Sequence, residues 1–166
     1  MALYHLSIKT VSRSNGRSAV AASAYRSGSK LHDKRTGETA DYTRKSGVKH
    51  TEIITPEGAP AWAHNREQLW NGAEAAEKRK NSVTAREYEI ALPAELTPFQ
   101  RQEAARAFAG WLVERFGVVA DVAIHAPGKE GDQRNHHAHI LTTTRAVGPE
   151  GMGAKTRELD DRQSGA

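Results

Sequence analysis

The stretch VTAREYEIALPAELTPFQRQEAARAFAGWLVERFGVVADVAIH, residues 83–125, decides the fold. It holds two strand patterns with a helix between them. Val83 to Leu92 alternates and ends at Pro93, which reads as a strand. Thr97 and Gln100 form a capping box, with Pro98 at the first helical position. Phe108, Trp111, Leu112 and Phe116 make the helix's apolar stripe, and Gly117 ends it. Val118 to His125 reads as a second strand. Beyond the loop Ala126 to Asn135, His136 to Thr144 reads as a third, antiparallel to the second.

Upstream, Ala2 to Lys9 alternates, with Tyr4, Leu6 and Ile8 on the face expected to be buried. The run Arg13-Ser14-Asn15-Gly16-Arg17 is a turn. Ser18 to Ser27 is alanine-rich, with Ser18 able to cap its start and Gly28 its end, so a short helix is expected. A short strand is expected near Thr39–Tyr42 and another over Thr51–Thr55. Arg66 to Arg79 reads as a helix carrying Trp70. The order predicts an α+β fold, an antiparallel sheet with helices packed on it. Residues 1–145 are expected to form the domain. Residues 146–166 read as a polar, glycine-rich tail, the start of a region missing from a longer protein.

The 166 residues suffice for one domain with a real core. The chain has no cysteine, which excludes disulfides and thiolate metal sites. No apolar run reaches membrane-spanning length and no secretory signal is visible, which fits a cytosolic protein. The net charge of +4 is unevenly spread. Residues 1–50 carry ten Lys/Arg against three Asp/Glu, a net of +7, while residues 51–166 are net −3. A basic half of this kind suits a polyanion, although solvated basic loops give the same count.

His125 is followed, after eleven residues, by His137-Ala138-His139. Residues two apart on a strand share a face, so His137 and His139 can converge, and a neighbouring strand can add His125. Three neutral imidazoles leave positions open on a metal for water or a phosphate oxygen. An unused histidine cluster and a structural metal are the alternatives. His136 points to the other face and is excluded as a ligand. His5, His32, His50 and His64 lack partner spacing.

Of the four tyrosines, Tyr4 and Tyr88 read as core, and Tyr42 lies in a basic loop where it can stack on a base. Tyr25 sits in a helix of small residues beside Arg26. By position alone it reads sooner as a packed helix residue than as a nucleophile, since a phenol with a pKa of about 10 attacks poorly near neutrality. Glu87 and Glu89 share one strand face. A carboxylate there can orient a ligand histidine, act as a base, or lie solvated on an edge strand.

Together these segments resemble the MobA/MobL family of plasmid mobilisation relaxases, within the HUH endonuclease group. The similarity rests on Met1-Ala2-Leu3-Tyr4-His5-Leu6, on Asn15-Gly16-Arg17-Ser18 through Ala24-Tyr25, on Arg66-Glu67-Gln68-Leu69-Trp70-Asn71 with Lys78-Arg79-Lys80-Asn81-Ser82, on Ala85-Arg86-Glu87 with Leu92-Pro93, and on Ile124-His125 with Asn135-His136-His137-Ala138-His139. The resemblance implies an HUH, ferredoxin- or palm-like architecture. It implies Tyr25 as nucleophile, Glu87 rather than Glu89 as the site carboxylate, and His125, His137 and His139 as ligands of a divalent metal. Manganese or magnesium is expected to support activity, and zinc, nickel or cobalt can occupy such a site. The implied reaction is nicking and rejoining of one strand at a plasmid transfer origin through a 5′-phosphotyrosine bond. The implied substrate is single-stranded or locally melted DNA, with Arg13, Arg17, Arg26 and Lys30 as candidate backbone contacts. Accessory relaxosome proteins and a secretion-system coupling protein are the implied partners. A monomer in the bacterial cytoplasm, carried across with the strand, is expected. The alternatives are an HUH rolling-circle initiator or transposase, and a non-catalytic single-strand-binding module.

Overall fold

A computed structural model describes residues 5–128 and 134–159. Five strands form one antiparallel sheet: β1 (Leu6–Ser12), β4 (Val48–Ile54), β5 (Val83–Leu92), β6 (Ala120–His125) and β7 (His136–Thr143). Their spatial order is β1-β5-β7-β6-β4. Strands β2 (Lys30–His32) and β3 (Thr39–Asp41) form one separate hairpin, and β8 (Arg145–Gly148) and β9 (Gly151–Lys155) another. Three α-helices, α1 (Ala19–Ser27), α2 (Arg66–Ala75) and α3 (Pro98–Phe116), and three short 3-10 helices, Arg13–Asn15, Ala61–His64 and Arg157–Leu159, complete the described elements. The fold is α+β with an antiparallel central sheet, as expected.

The sheet separates two cores. On one face α1 and α2 pack with Val20, Leu69 and Trp70 against Ala85, Val119 and Leu141. On the other, α3 sets Ala105, Ala109, Leu112 and Val113 against Tyr88, Ile90, Val122 and Ile140. The alternation along β5 and β7 explains the division, because successive residues serve opposite faces. The α3 capping box is present, with Gln100 N donating to Thr97 Oγ1 at 3.1 Å and Thr97 N to Gln100 Oε1 at 2.9 Å.

Three expectations change. Leu6 and Ile8 are 47% and 55% exposed, because β1 is an edge strand and α3 lies over β4, β5 and β6 instead. Tyr4 lies outside the described residues. Trp111 is 54% exposed, with its ring edge-on to Phe116. The buried line of α3 runs through the small Ala105 and Ala109 to Leu112, and Trp111 falls about 100° off it. The expected tail does not begin at residue 146. The β8–β9 hairpin buries Val147 in the α1–α2 core, with Met152 packed on it, and turns at Pro149-Glu150, with Gly151 at φ 99° opening β9. Its glycines build a hairpin, and the folded domain continues to residue 159.

Candidate active site

Strand register builds the histidine cluster. His125 on β6 pairs with His137 on β7, and His139 lies between Ala123 of β6 and Glu89 of β5. All three histidines share the sheet face that α1 covers. The ring centroids of His125 and His139 are 4.5 Å apart, and those of His137 and His139 6.2 Å. His136 lies on the opposite face, in a recess lined by Leu92, Pro93 and Asn135. His32, His50 and His64 bond elsewhere, to Thr39, Glu52 and Thr55. His5 takes part through its backbone, its carbonyl accepting from Ala91 N at 3.1 Å.

Glu87 stands on β5, an interior strand between β1 and β7, and is 2% exposed, so the solvated-edge alternative does not apply. Its Oε1 accepts from His139 Nδ1 at 2.9 Å. Arg26 of α1 grips both carboxylate oxygens, Nε to Oε1 and Nη2 to Oε2, each at 2.9 Å. Burial works to raise the Glu87 pKa, but the hydrogen bonds and charges of His139 and Arg26 outweigh it and hold the pKa at about 2. So low a pKa suits an orienting carboxylate and makes a poor proton acceptor. With Nδ1 committed to Glu87, His139 turns Nε2 outward, where Glu89 Oε1 lies 3.8 Å away.

His125 donates from Nε2 to the carbonyl oxygen of Arg26 at 2.7 Å. Burial pushes its pKa down to about 4, and burial also lowers that of His137. Both are therefore neutral near pH 7, the form that binds metals. The donor chemistry fits one divalent ion on three imidazoles. The cage is not closed, since among the described residues no three ligating side chains converge on one point. With Nε2 donating to the Arg26 carbonyl, neutral His125 keeps Nδ1 as its unprotonated nitrogen.

Tyr25 lies in the last turns of α1 and is 43% exposed, so it is not the packed residue its position suggested. The helix begins where Ser18 accepts from Ala21 N, and ends at Gly28 in the left-handed region. Ala19, Val20, Ser23 and Ala24 face the sheet. Ser23 Oγ donates to Asp121 Oδ2 at 2.6 Å, and Asp121 also accepts from Trp70 Nε1 at 2.9 Å and Arg66 Nε at 2.8 Å. Burial raises the Asp121 pKa against the pull of Arg66. This buried knot fixes the depth of α1 over β6. Around the Tyr25 ring stand Tyr42, edge-on with centroids 5.1 Å apart, Lys45 Nζ at 3.6 Å from the centroid, and Arg26 Cζ at 4.9 Å.

Two of the cations expected to contact DNA are engaged within the protein. The Arg13 side chain is only 8% exposed, pairs with Glu74 and donates to the Glu77 and Arg79 carbonyls. Its charge offsets a buried carboxylate and is not offered to a phosphate. Arg26 is likewise occupied by Glu87. Arg17 and Lys30 remain accessible, and Arg17 borders a groove between α1 and the β2–β3 hairpin, lined also by Tyr25, Arg35, Thr39 and Tyr42. Sequence reading missed Lys45, Ser23 and Asp121. Asp121 had a signal, a lone acid in the apolar run Val118 to Ile124. Lys45 had none, because its place depends on a turn.

Residues 17–166 match the sequence model of the MobA/MobL family. The chain is 46% identical to the mobilization protein MobL of Acidithiobacillus ferridurans, over 96% of this chain and 47% of that protein. It is 39% identical to the probable mobilization protein MobA of Bifidobacterium longum, over 98% of this chain and 29% of that one. It is 40% identical to the conjugal transfer protein TraA of Agrobacterium fabrum, over 93% and 14%. The chain thus spans less than half the length of these curated relatives. A solved structure described as "Molecular Basis of Vancomycin Resistance Transfer in Staphylococcus aureus" superposes with a TM-score of 0.86 at 35% identity, covering 99% of this chain and 85% of that one. With its fold matched along nearly the whole length and its sequence from residue 17 onward, the chain belongs to the MobA/MobL family.

Proposed function

We propose that this chain is the relaxase domain of a mobilisation protein, and that it nicks and rejoins one DNA strand at a transfer origin with Tyr25 as nucleophile. The observation that carries this is the chain of contacts Tyr25–Arg26–Glu87–His139. It connects the exposed phenol to the histidine cluster through one adjacent residue and one buried carboxylate. A non-catalytic binding module has no use for an arginine and an imidazole joined through a buried carboxylate beside an exposed tyrosine. The names of the relatives, mobilization and conjugal transfer proteins, favour transfer over replication initiation or transposition.

In the nicking step the Tyr25 phenolic oxygen bonds to phosphorus while the bond from phosphorus to the 3′ oxygen breaks. The phenolic proton passes to solvent, and the leaving 3′ oxygen takes up a proton from water. The product is a 5′-phosphotyrosine with a free 3′-hydroxyl. One phosphodiester replaces another, so the 3′-hydroxyl can attack in reverse and release Tyr25 without a nucleotide cofactor. His125, His137 and His139 would hold a divalent ion, manganese or magnesium in use, with zinc, nickel or cobalt able to occupy the same donors. When bound, such an ion polarises the scissile phosphate and neutralises charge in the transition state. Glu87 fixes the His139 tautomer, and Arg26 keeps Glu87 charged while anchoring the helix that bears Tyr25.

The substrate is single-stranded or locally melted DNA, met by the groove that Arg17 borders and by Lys30. Accessory relaxosome proteins and a coupling protein are the proposed partners of the whole protein, which acts as a monomer in the bacterial cytoplasm and travels with the strand. No described helix is long and apolar enough to cross a membrane. The test is chelation. With oligonucleotides from a candidate origin, EDTA-stripped protein should form no covalent adduct, and manganese should restore it. Adduct formation by protein shown to be metal-free contradicts the metal assignment.

A further inference from the structure

The segment after β3 does more than connect strands. Tyr42 N donates to Ser29 O at 3.0 Å, and Lys45 N donates to Tyr42 O at 3.0 Å, which closes a turn beside the end of α1. Gly28 supplies the left-handed backbone, φ 67°, that turns the chain from α1 toward this segment. Further along, Gly47 O accepts from Ala126 N at 2.8 Å, one residue past His125. The turn is therefore tied both to the helix of Tyr25 and to the strand end of His125.

From this turn Lys45 reaches back to Tyr25 at two points. Its Nζ donates to the Tyr25 carbonyl oxygen at 2.9 Å and lies 3.6 Å from the centroid of the Tyr25 ring. A lysine at a helix end commonly caps a carbonyl, which complements the helix dipole. Capping alone does not require the ammonium to lie over the ring of the same residue. One cation thus holds both the main chain and the aromatic face of Tyr25, while Tyr42 meets the ring edge. Burial and the charge of Arg26 lower the Lys45 pKa, so its ammonium is incompletely solvated and has more to gain from an electron-rich ring.

We propose that Lys45 is a positioning residue for Tyr25, fixing the ring against the end of α1 and stabilising negative charge as it develops on the phenolic oxygen. Attraction between an ammonium and an aromatic face grows as the ring gains electron density. The contact with Lys45 therefore strengthens as the step proceeds, which is the differential that accelerates it. The same charge forms again when Tyr25 leaves phosphorus on rejoining. This inference rests on the assignment of Tyr25 as nucleophile.

The test begins without DNA. Wild type, Lys45→Met, Lys45→Gln and Lys45→Arg are treated with N-acetylimidazole, and acetylation of Tyr25 is followed by peptide mass spectrometry. Removing the lysine opens the ring, so a merely shielding lysine predicts faster acetylation. The proposal predicts acetylation about tenfold slower in the two neutral variants, with Lys45→Arg recovering most of the rate. An unchanged or faster rate in both neutral variants overturns it. The second arm uses manganese and single-stranded oligonucleotides tiling the DNA around the gene. Adduct formation at saturating oligonucleotide should fall about tenfold in Lys45→Met, with half-saturation shifted less than about threefold. A loss confined to half-saturation makes Lys45 a DNA contact and overturns the proposal. An adduct formed by Tyr25→Phe instead removes the nucleophile assignment, and leaves the acetylation result to stand or fall by itself.

Discussion

Arg26 and Glu87 are joined at two points, Nε to Oε1 and Nη2 to Oε2, each at 2.9 Å, and this pair ties the helix of Tyr25 to the strand behind His139. A guanidinium matches a carboxylate with two parallel bonds, which an ammonium cannot do. Arg26→Lys should therefore keep charge and lose geometry. We expect it to fold, to bind DNA within a few-fold of wild type, and to form covalent adduct at least about tenfold more slowly. Rates equal to wild type would show that the pair does not set the site.

Glu87→Gln removes the charge that Arg26 faces and weakens the hold on His139 Nδ1. Partners that orient a metal-binding histidine typically contribute about 10- to 100-fold in affinity or activity. Manganese titration by calorimetry should show a loss in that range for Glu87→Gln. His136→Ala should leave the isotherm unchanged, because that ring lies on the other sheet face, while His137→Ala should weaken it strongly. A loss at His136 matching that at His137 contradicts the register argument.

Acid should weaken the metal-free protein in two windows. His125 is buried neutral with a pKa of about 4, below its ordinary 6.5. Its unfolded form takes up a proton first, so stability is full above pH 6.5 and falls as pH drops toward 4. Glu87, with a pKa of about 2 against 4.5, contributes fully above pH 4.5 and loses its contribution as pH falls toward 2. Each shift corresponds to a few kcal/mol at most, reduced by solvent screening of these partly exposed groups. Denaturant melts across pH should show the upper slope flattened in His125→Gln and the lower slope flattened in Glu87→Gln. The same slopes in both variants as in wild type count against the assignments.

Much of this architecture is legible in the sequence. Strand β5 runs over the expected Val83–Leu92, and α3 starts at the expected Pro98, because a capping box and an alternating strand are local patterns. The histidines follow from the same logic, since period-two geometry puts His137 and His139 on one face. What was not legible depends on partners distant in sequence. Arg13 and Arg26 read as free cations because Glu74 and Glu87 lie 61 residues away in each case. The β8–β9 hairpin was hidden because Gly148, Gly151 and Gly153 look the same in a hairpin as in a tail. Tyr25 carries no signal in its spacing, and the family resemblance alone points to it as a nucleophile in the sequence.

The cations near α1 divide into structural and DNA-facing groups, which salt dependence can separate. Arg13→Gln leaves the buried Glu74 with less compensation and should cost about 3 kcal/mol or more of stability. Arg17→Gln and Lys30→Gln should fold normally. For each cation that pairs with a phosphate, its removal should reduce the slope of log affinity against log salt for a single-stranded oligonucleotide by about 0.7. Unchanged slopes in both would show that the DNA runs elsewhere.

Asp121 should matter as the anchor of α1. Ser23→Ala removes one of its donors, at a cost of about 1–2 kcal/mol, since Trp70 and Arg66 remain. Asp121→Ala strands Arg66 and should cost about 3–5 kcal/mol. Chemical denaturation gives both values, and a neutral Asp121→Ala refutes the anchor.

The central claim is that Tyr25 becomes covalently joined to the 5′ phosphate of a nicked strand. The most direct measurement incubates wild type and Tyr25→Phe with manganese and a single-stranded origin oligonucleotide, then resolves both on a denaturing gel. Wild type should give a band that survives denaturation and maps to the peptide holding Tyr25. Tyr25→Phe should bind the oligonucleotide and give no such band. An adduct of undiminished yield in Tyr25→Phe would contradict the account.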